Sequence, residues 1–168
     1  MNNSISRRQL VAASAAIGTV MLAPFRYFAE AKKSPDGMKP GDYVWEPEKS
    51  PHGLVAIIVS ILYQRVHVYR NGIRIGKSTC STGKKGHSTP TGVFTILQKD
   101  KHHRSSTYNN APMPNMNRLT WRGVALHAGN LPGYPASHGC IRLPLKFSAL
   151  LFGVTHVGTP VIYADVHS

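Results

Sequence analysis

Arg65-Val66-His67-Val68-Tyr69-Arg70-Asn71-Gly72-Ile73-Arg74-Ile75-Gly76-Lys77 reads as two strands and the turn that joins them. Val66 and Val68 alternate with His67 and Tyr69, the period-two signature of a strand with one buried face. Asn71-Gly72 supplies two residues that tolerate positive φ, which a tight hairpin turn requires. Upstream, Leu54-Val55-Ala56-Ile57-Ile58-Val59-Ser60 is a β-branched run that predicts another strand. Downstream, Lys77–Ser81, Val93–Leu97, Leu119–Trp121, Val124–Leu126, Ile141–Leu143 and Thr159–Ala164 continue the strand pattern. One helix is expected after Pro144, where Phe147, Leu150 and Leu151 recur at helical spacing and Gly153 ends the run. The expectation is a mainly-β domain, a sandwich or partly closed barrel of about seven strands with one short helix.

Two stretches do not fit that rhythm. Residues 32–52 are rich in Pro, Gly, Lys and Asp, and read as a linker or arm that Tyr43 and Trp45 pin to the domain. Residues 98–118 form a long polar connection, the kind that serves as a lid or a disordered insertion. Its Met113 and Met116 either line a groove or plug the domain's edge.

The chain has 168 residues, 20 Lys+Arg against 7 Asp+Glu, and a formal net charge of +13. Such a surface favours anionic partners. No basic helix, zinc finger or aromatic-rich strand accompanies the charge, so nucleic acid is not expected as a partner. Residence on an acidic wall or envelope accounts for the charge instead. Residues 1–31 read as an export signal. Ser6-Arg7-Arg8-Gln9-Leu10 places a twin arginine before an apolar stretch of about fourteen residues, and Ala29-Glu30-Ala31 follows as a small-x-small cleavage pattern. The apolar stretch is shorter than the roughly 20 residues of a membrane-spanning helix, so no transmembrane helix is expected in the mature chain.

The candidate chemistry lies in Ser137-His138-Gly139-Cys140-Ile141-Arg142, with His127-Ala128-Gly129 upstream. A cysteine nucleophile reacts as thiolate and needs a basic neighbour. Cys140 sits in a polar, glycine-broken turn. Gly139 keeps the backbone bare where a carbonyl must approach, and the amides of Gly139 and Cys140 can face an oxyanion. A thiolate–imidazolium pair and acyl transfer through a thioester are expected. Spacing alone leaves His127 and His138 both open as the base. A disulfide between Cys80 and Cys140 would silence the nucleophile, and is a rival for an exported protein. A zinc site on His127, His138 and Cys140 is a second rival, weakened by the lack of close ligand pairs and of carboxylates. A basic wall-binding module without catalysis is a third. His67, His87, His102, His103, His156 and His167 are assigned to exposed positions.

The pattern His127-Ala-Gly followed by Ser137-His138-Gly139-Cys140-Ile141-Arg142 resembles the catalytic signature of the L,D-transpeptidase (YkuD-type) family of bacterial wall enzymes. Ser81-Thr82-Gly83 and Thr89-Pro90-Thr91-Gly92-Val93-Phe94 resemble that family's strand motifs, and the likeness covers residues 53–165. The resemblance implies Cys140 as nucleophile, His127 as general base and the Ala128 carbonyl as the group that orients the imidazole. It implies Gly139 and Cys140 as oxyanion amides, Ser137 and His138 as shapers of the site, and Arg142 as a carboxylate holder. It implies no cofactor. The implied reaction is attack on the L,D bond after the third residue of a peptidoglycan tetrapeptide stem, release of D-Ala, and transfer of the acyl group to an amine. With water as acceptor the same site would be an L,D-carboxypeptidase.

Overall fold

The computed structural model describes residues 36–164, so the expected export signal at 1–31 lies outside the described residues. Two sheets share one core. The larger contains β1 (Tyr43–Trp45), β2 (Val55–Ser60), β3 (Arg65–Arg70), β4 (Ile73–Thr79), β5 (Gly92–Thr95) and β10 (Pro160–Ala164). Its order is β1-β4-β3-β2-β10-β5, with β10 parallel to β2 and the other pairs antiparallel. The smaller contains β6 (Gln98–Asp100), β7 (Met116–Arg118), β8 (Ala125–Ala128) and β9 (Ile141–Leu143), in that order. Among the described residues the single α-helix, α1, spans Leu145–Val154.

The mainly-β expectation holds, with ten strands among the described residues where about seven were expected. The hairpin turn is as predicted: Asn71 and Gly72 have φ of 49° and 77°. A register shift between Val68 and Tyr69 is the one irregularity of the β3–β4 pair. The extra strands come from the two stretches that lacked a clear period. Within 32–52, Tyr43–Trp45 pairs with β4 as an edge strand. Gly76 permits this, because a Cβ there would stand 2.6 Å from the Trp45 ring. Residues 98–118 fold as a hairpin instead of an open loop. β6 pairs antiparallel with β7, an Arg104–Pro112 bridge extends the pairing, and Asn109 and Asn110 turn the chain with positive φ. Leu119–Trp121 is not a strand, a turn beginning at Trp121, and Gly153 lies within α1, which runs one residue past it.

Ile57, Val59, Val66, Val68, Ile75, Leu126, Ile141, Leu143, Phe147 and Val161 are buried and form one cluster between the sheets and α1. Phe147 anchors α1, with the Trp45 ring edge-on at 5.7 Å. His67, expected on the surface, is buried on β3, and its imidazole is pushed down to about 4, first by burial and then by Lys77 and Arg74.

Asp36 ties the N-terminal segment to this sheet. It accepts hydrogen bonds from Arg65 Nε (3.1 Å) and Nη2 (2.8 Å) and pairs with Lys77. Arg65 above all, with Lys77, holds its carboxyl well below the usual carboxylate range. A depressed carboxylate stabilises the fold above its unfolded pKa of about 3.9, and the contribution fades as pH falls below that value. Asp36→Asn is therefore expected to cost about 1–2 kcal/mol at neutral pH. The melting-temperature gap from the parent should start to narrow once the pH falls below about 4.

Candidate active site

Cys140 and His127 are brought together by the parallel β8–β9 pair. Leu126 is in register with Ile141, and both point into the main core. Side chains alternate along a strand, so Ala125, His127, Cys140 and Arg142 share the opposite face. Ala125 packs there with Met113 and Met116, and Cys140 lies against them. The methionines thus both fill the edge and wall the site. One cavity of about 530 Å³ is lined by His127, His138, Cys140, Arg142, Tyr108 and Leu145, with Ala128 and Ser137 also on its wall.

The imidazole of His127 is buried and held by Nδ1, 2.7 Å from the Ala128 carbonyl oxygen. A carbonyl only accepts, so Nδ1 carries the proton and Nε2 presents its lone pair. Burial is the main reason its pKa is pushed down to about 4; the Ala128 carbonyl opposes that shift, and Arg142 and His103 add to it. The Cys140 thiol moves the other way. Burial raises its pKa, against smaller lowering effects from the Ala125 amide, Arg142 and Arg118. Its Sγ donates to the Gly123 carbonyl at 3.3 Å. Both shifts favour the neutral thiol and neutral imidazole over the ion pair expected from sequence.

The turn that carries Cys140 is clamped by Ser137. Its hydroxyl donates to the Cys140 carbonyl (2.5 Å) and accepts from the Gly139 amide (3.1 Å). Gly139 therefore serves the turn through its φ of +115°, and its amide is already engaged. Of the two amides expected to face an oxyanion, that of Gly139 is held by the Ser137 hydroxyl in the resting site. Ser137 itself is buried and shapes the loop from below.

The Ser81-Thr82-Gly83 motif is the mould for this turn. Thr82 O accepts from the amides of Ala136 and Ser137, and the Ser81 hydroxyl donates to Tyr134 O. Gln64 grips Thr82 at both ends, Oε1 to its amide (2.8 Å) and Nε2 to its hydroxyl (2.7 Å). Thr89 Oγ1 donates to the Gly139 carbonyl (2.9 Å). Gly83 is required by contact, since a Cβ there would lie 1.9 Å from the His87 carbonyl oxygen.

His138 is exposed and caught between two rings. Tyr108, near the tip of the 98–118 hairpin, stacks on it at 4.6 Å, and His87 meets it edge-on at 4.7 Å. Partial desolvation, Lys84, His87 and Arg142 all push its pKa down. Arg142 packs its aliphatic stem under Gly129, where a Cβ would come within 2.9 Å of Cγ. It makes no ion pair among the described residues, so its guanidinium is free for an anion.

Both cysteines are unbridged; Cys80 is buried, with its thiol pushed up to about 12 by that burial. Among the described residues no three His, Cys, Asp or Glu side chains group as metal ligands, so His127, His138 and Cys140 do not form a zinc triad. Sequence reasoning missed Gln64, Tyr108, His87, His103 and Arg118, all of which reach the site or its supports. Gln64 alone left a trace: a long polar residue between two strand runs.

A two-sheet β domain with a thiol and an imidazole on one cleft wall defines the class. The sequence model of the L,D-transpeptidase catalytic domain (YkuD) matches residues 55–162, and this chain belongs to that family. Solved structures agree. An L,D-transpeptidase from Mycobacterium tuberculosis is 25% identical with a TM-score of 0.62, the match covering 66% of this chain and 57% of that one. An L,D-transpeptidase from Mycobacterium smegmatis is 27% identical with a TM-score of 0.60, covering 66% and 58%. An LD transpeptidase in complex with imipenem is 26% identical with a TM-score of 0.61, covering 66% and 58%. The match thus spans less than three-fifths of each of those chains. No curated protein matches significantly. Among the described residues no helix is long and apolar enough to cross a membrane.

Proposed function

We propose that this protein is a peptidoglycan L,D-transpeptidase that works through a thioester on Cys140, with His127 as its base. The observation that carries the reading is the shared wall: Sγ of Cys140 and the ring of His127, its Nε2 unprotonated, lie on one face of β8–β9 and line one cavity. With a thiol raised and an imidazole lowered, proton transfer from Sγ to Nε2 accompanies attack on the carbonyl carbon. The Cys140 amide donates to the oxyanion. Collapse breaks the C–N bond, His127 returns the proton to the departing amine, D-Ala leaves and the thioester remains. An incoming amine then attacks the thioester, the C–S bond breaks, the new amide forms, and the proton ends on sulfur.

A second, smaller cavity reaches Cys140 from the Gly123 side and offers a path for the acceptor. The free Arg142 guanidinium holds a stem carboxylate on the donor side. Arg142→Gln is expected to lower kcat/KM for a tetrapeptide stem by roughly 10–100-fold, mostly through KM, the worth of a charge-assisted contact. Residues 1–31 would export the enzyme by a twin-arginine route to the cell envelope.

The reading is tested by intact-mass spectrometry of the protein mixed with a stem tetrapeptide, and separately with imipenem. An adduct mapping to Cys140 is expected in both. Turnover retained in Cys140→Ala would overturn it.

A further inference from the structure

Arg118 on β7 is held in an unusual way. His103 Nδ1 lies 3.2 Å from Asp100 Oδ2, and its Nε2 lies 3.3 Å from Arg118 Nη2. A guanidinium only donates, so Nε2 accepts and the ring is fixed with its proton on Nδ1 facing the carboxylate. The chain Asp100–His103–Arg118 orients a cation without neutralising it. Arg118 has no ion pair among the described residues, and its Nε is buried without a partner. Arg118, Arg122 and His103 line the cavity of about 90 Å³ that also touches Cys140. No carboxylate lines it. Two guanidiniums in a pocket that size call for a small anion, and planar forks suit a carboxylate.

We propose that this cavity is an α-amino carboxylate subsite: Arg118 and Arg122 hold the carboxylate of the amine that leaves or attacks at Cys140. The inference rests on the acyl-transfer reading above. The departing D-alanine is an amine with a carboxylate on the same carbon, and by microscopic reversibility an acceptor attacks from the place that D-alanine vacates. Seating its carboxylate on the arginines puts its nitrogen beside the thioester. The same two cations also disfavour an ammonium, so more of the nitrogen arrives with its lone pair free. In the transfer step the N–C bond forms, the C–S bond breaks, and the proton lost by nitrogen passes by way of His127 to sulfur. Asp100 and His103 act as positioning residues.

The test is exchange of isotope-labelled D-alanine into an unlabelled tetrapeptide stem, run beside labelled D-alaninamide, which keeps the amine and removes the charge. The readout is the ratio of the two exchange rates within each protein. In Arg122→Gln, whose side chain is exposed and whose loss leaves the fold intact, the ratio of D-alanine to D-alaninamide is expected to fall tenfold or more from the parent value. Arg118→Gln should lower it at least as far, and His103→Ala should lower it partly. A ratio unchanged in both arginine variants, or equal loss on both probes, would overturn the subsite while leaving the transferase standing. A parent protein that forms no adduct on Cys140 would overturn both.

Discussion

Cys140→Ala is expected to show no covalent adduct with stem tetrapeptide or imipenem and no turnover above background, while keeping the parent's melting temperature to within a few degrees. The loss should be near total because the other hydroxyl of the same turn, Ser137, is buried and committed to the Cys140 carbonyl. The fold should tolerate the change, since a thiol is a weak donor, its bond to the Gly123 carbonyl adds little, and it sits at the margin of a small apolar cluster. Cys140→Ser is the sharper variant. A hydroxyl ionises far less readily than a thiol, so it should retain the geometry and lose nearly all of the rate. Intact mass and steady-state release of D-Ala measure both.

The second large effect is that of His127→Gln, expected to slow acylation by roughly 10²–10⁴-fold, the range of a positioned general base. Glutamine keeps a polar side chain near the Ala128 carbonyl but has no lone-pair nitrogen to take a proton. The pH profile separates this role from a structural one. With His127 pushed down to about 4, the base is already unprotonated at any pH above about 5. The parent's kcat/KM for acylation should therefore stay level from about pH 5 to 8 and fall only in stronger acid. An acid limb centred near pH 6.5, the ordinary imidazole value, would contradict the neutral pair. The raised thiol makes a parallel statement: alkylation of Cys140 by iodoacetamide should be slow at pH 7 and should still be climbing above pH 9.

Much of the fold was readable because β3 and β4 carry long alternations closed by Asn71-Gly72, whose backbone requirement is local. The parallel pairing of β10 with β2 was not readable, since it joins segments about a hundred residues apart and nothing in either run names its neighbour. The strands of the smaller sheet span only three or four residues, too short to show a period. The 98–118 hairpin was missed for the same reason: its turn uses Asn109-Asn110 in positive φ, inside a stretch whose polarity imitates a loop. Cys140 and His127 stood out because glycines surround them. His67 was misplaced on the surface because alternation does not say which face of a central strand meets solvent. The Asp100–His103–Arg118 chain needed the hairpin to close before its members could meet, so no spacing rule finds it.

The burial that keeps the sulfur of Cys140 protonated has a consequence for durability. Peroxide attacks the ionised form, and the first product, a sulfenic acid, proceeds to irreversible acids where no reductant restores it. A catalyst that withholds its anion until a peptide bond is in place spends little time in the vulnerable state. It trades reactivity at rest for a longer working life wherever peroxide is present.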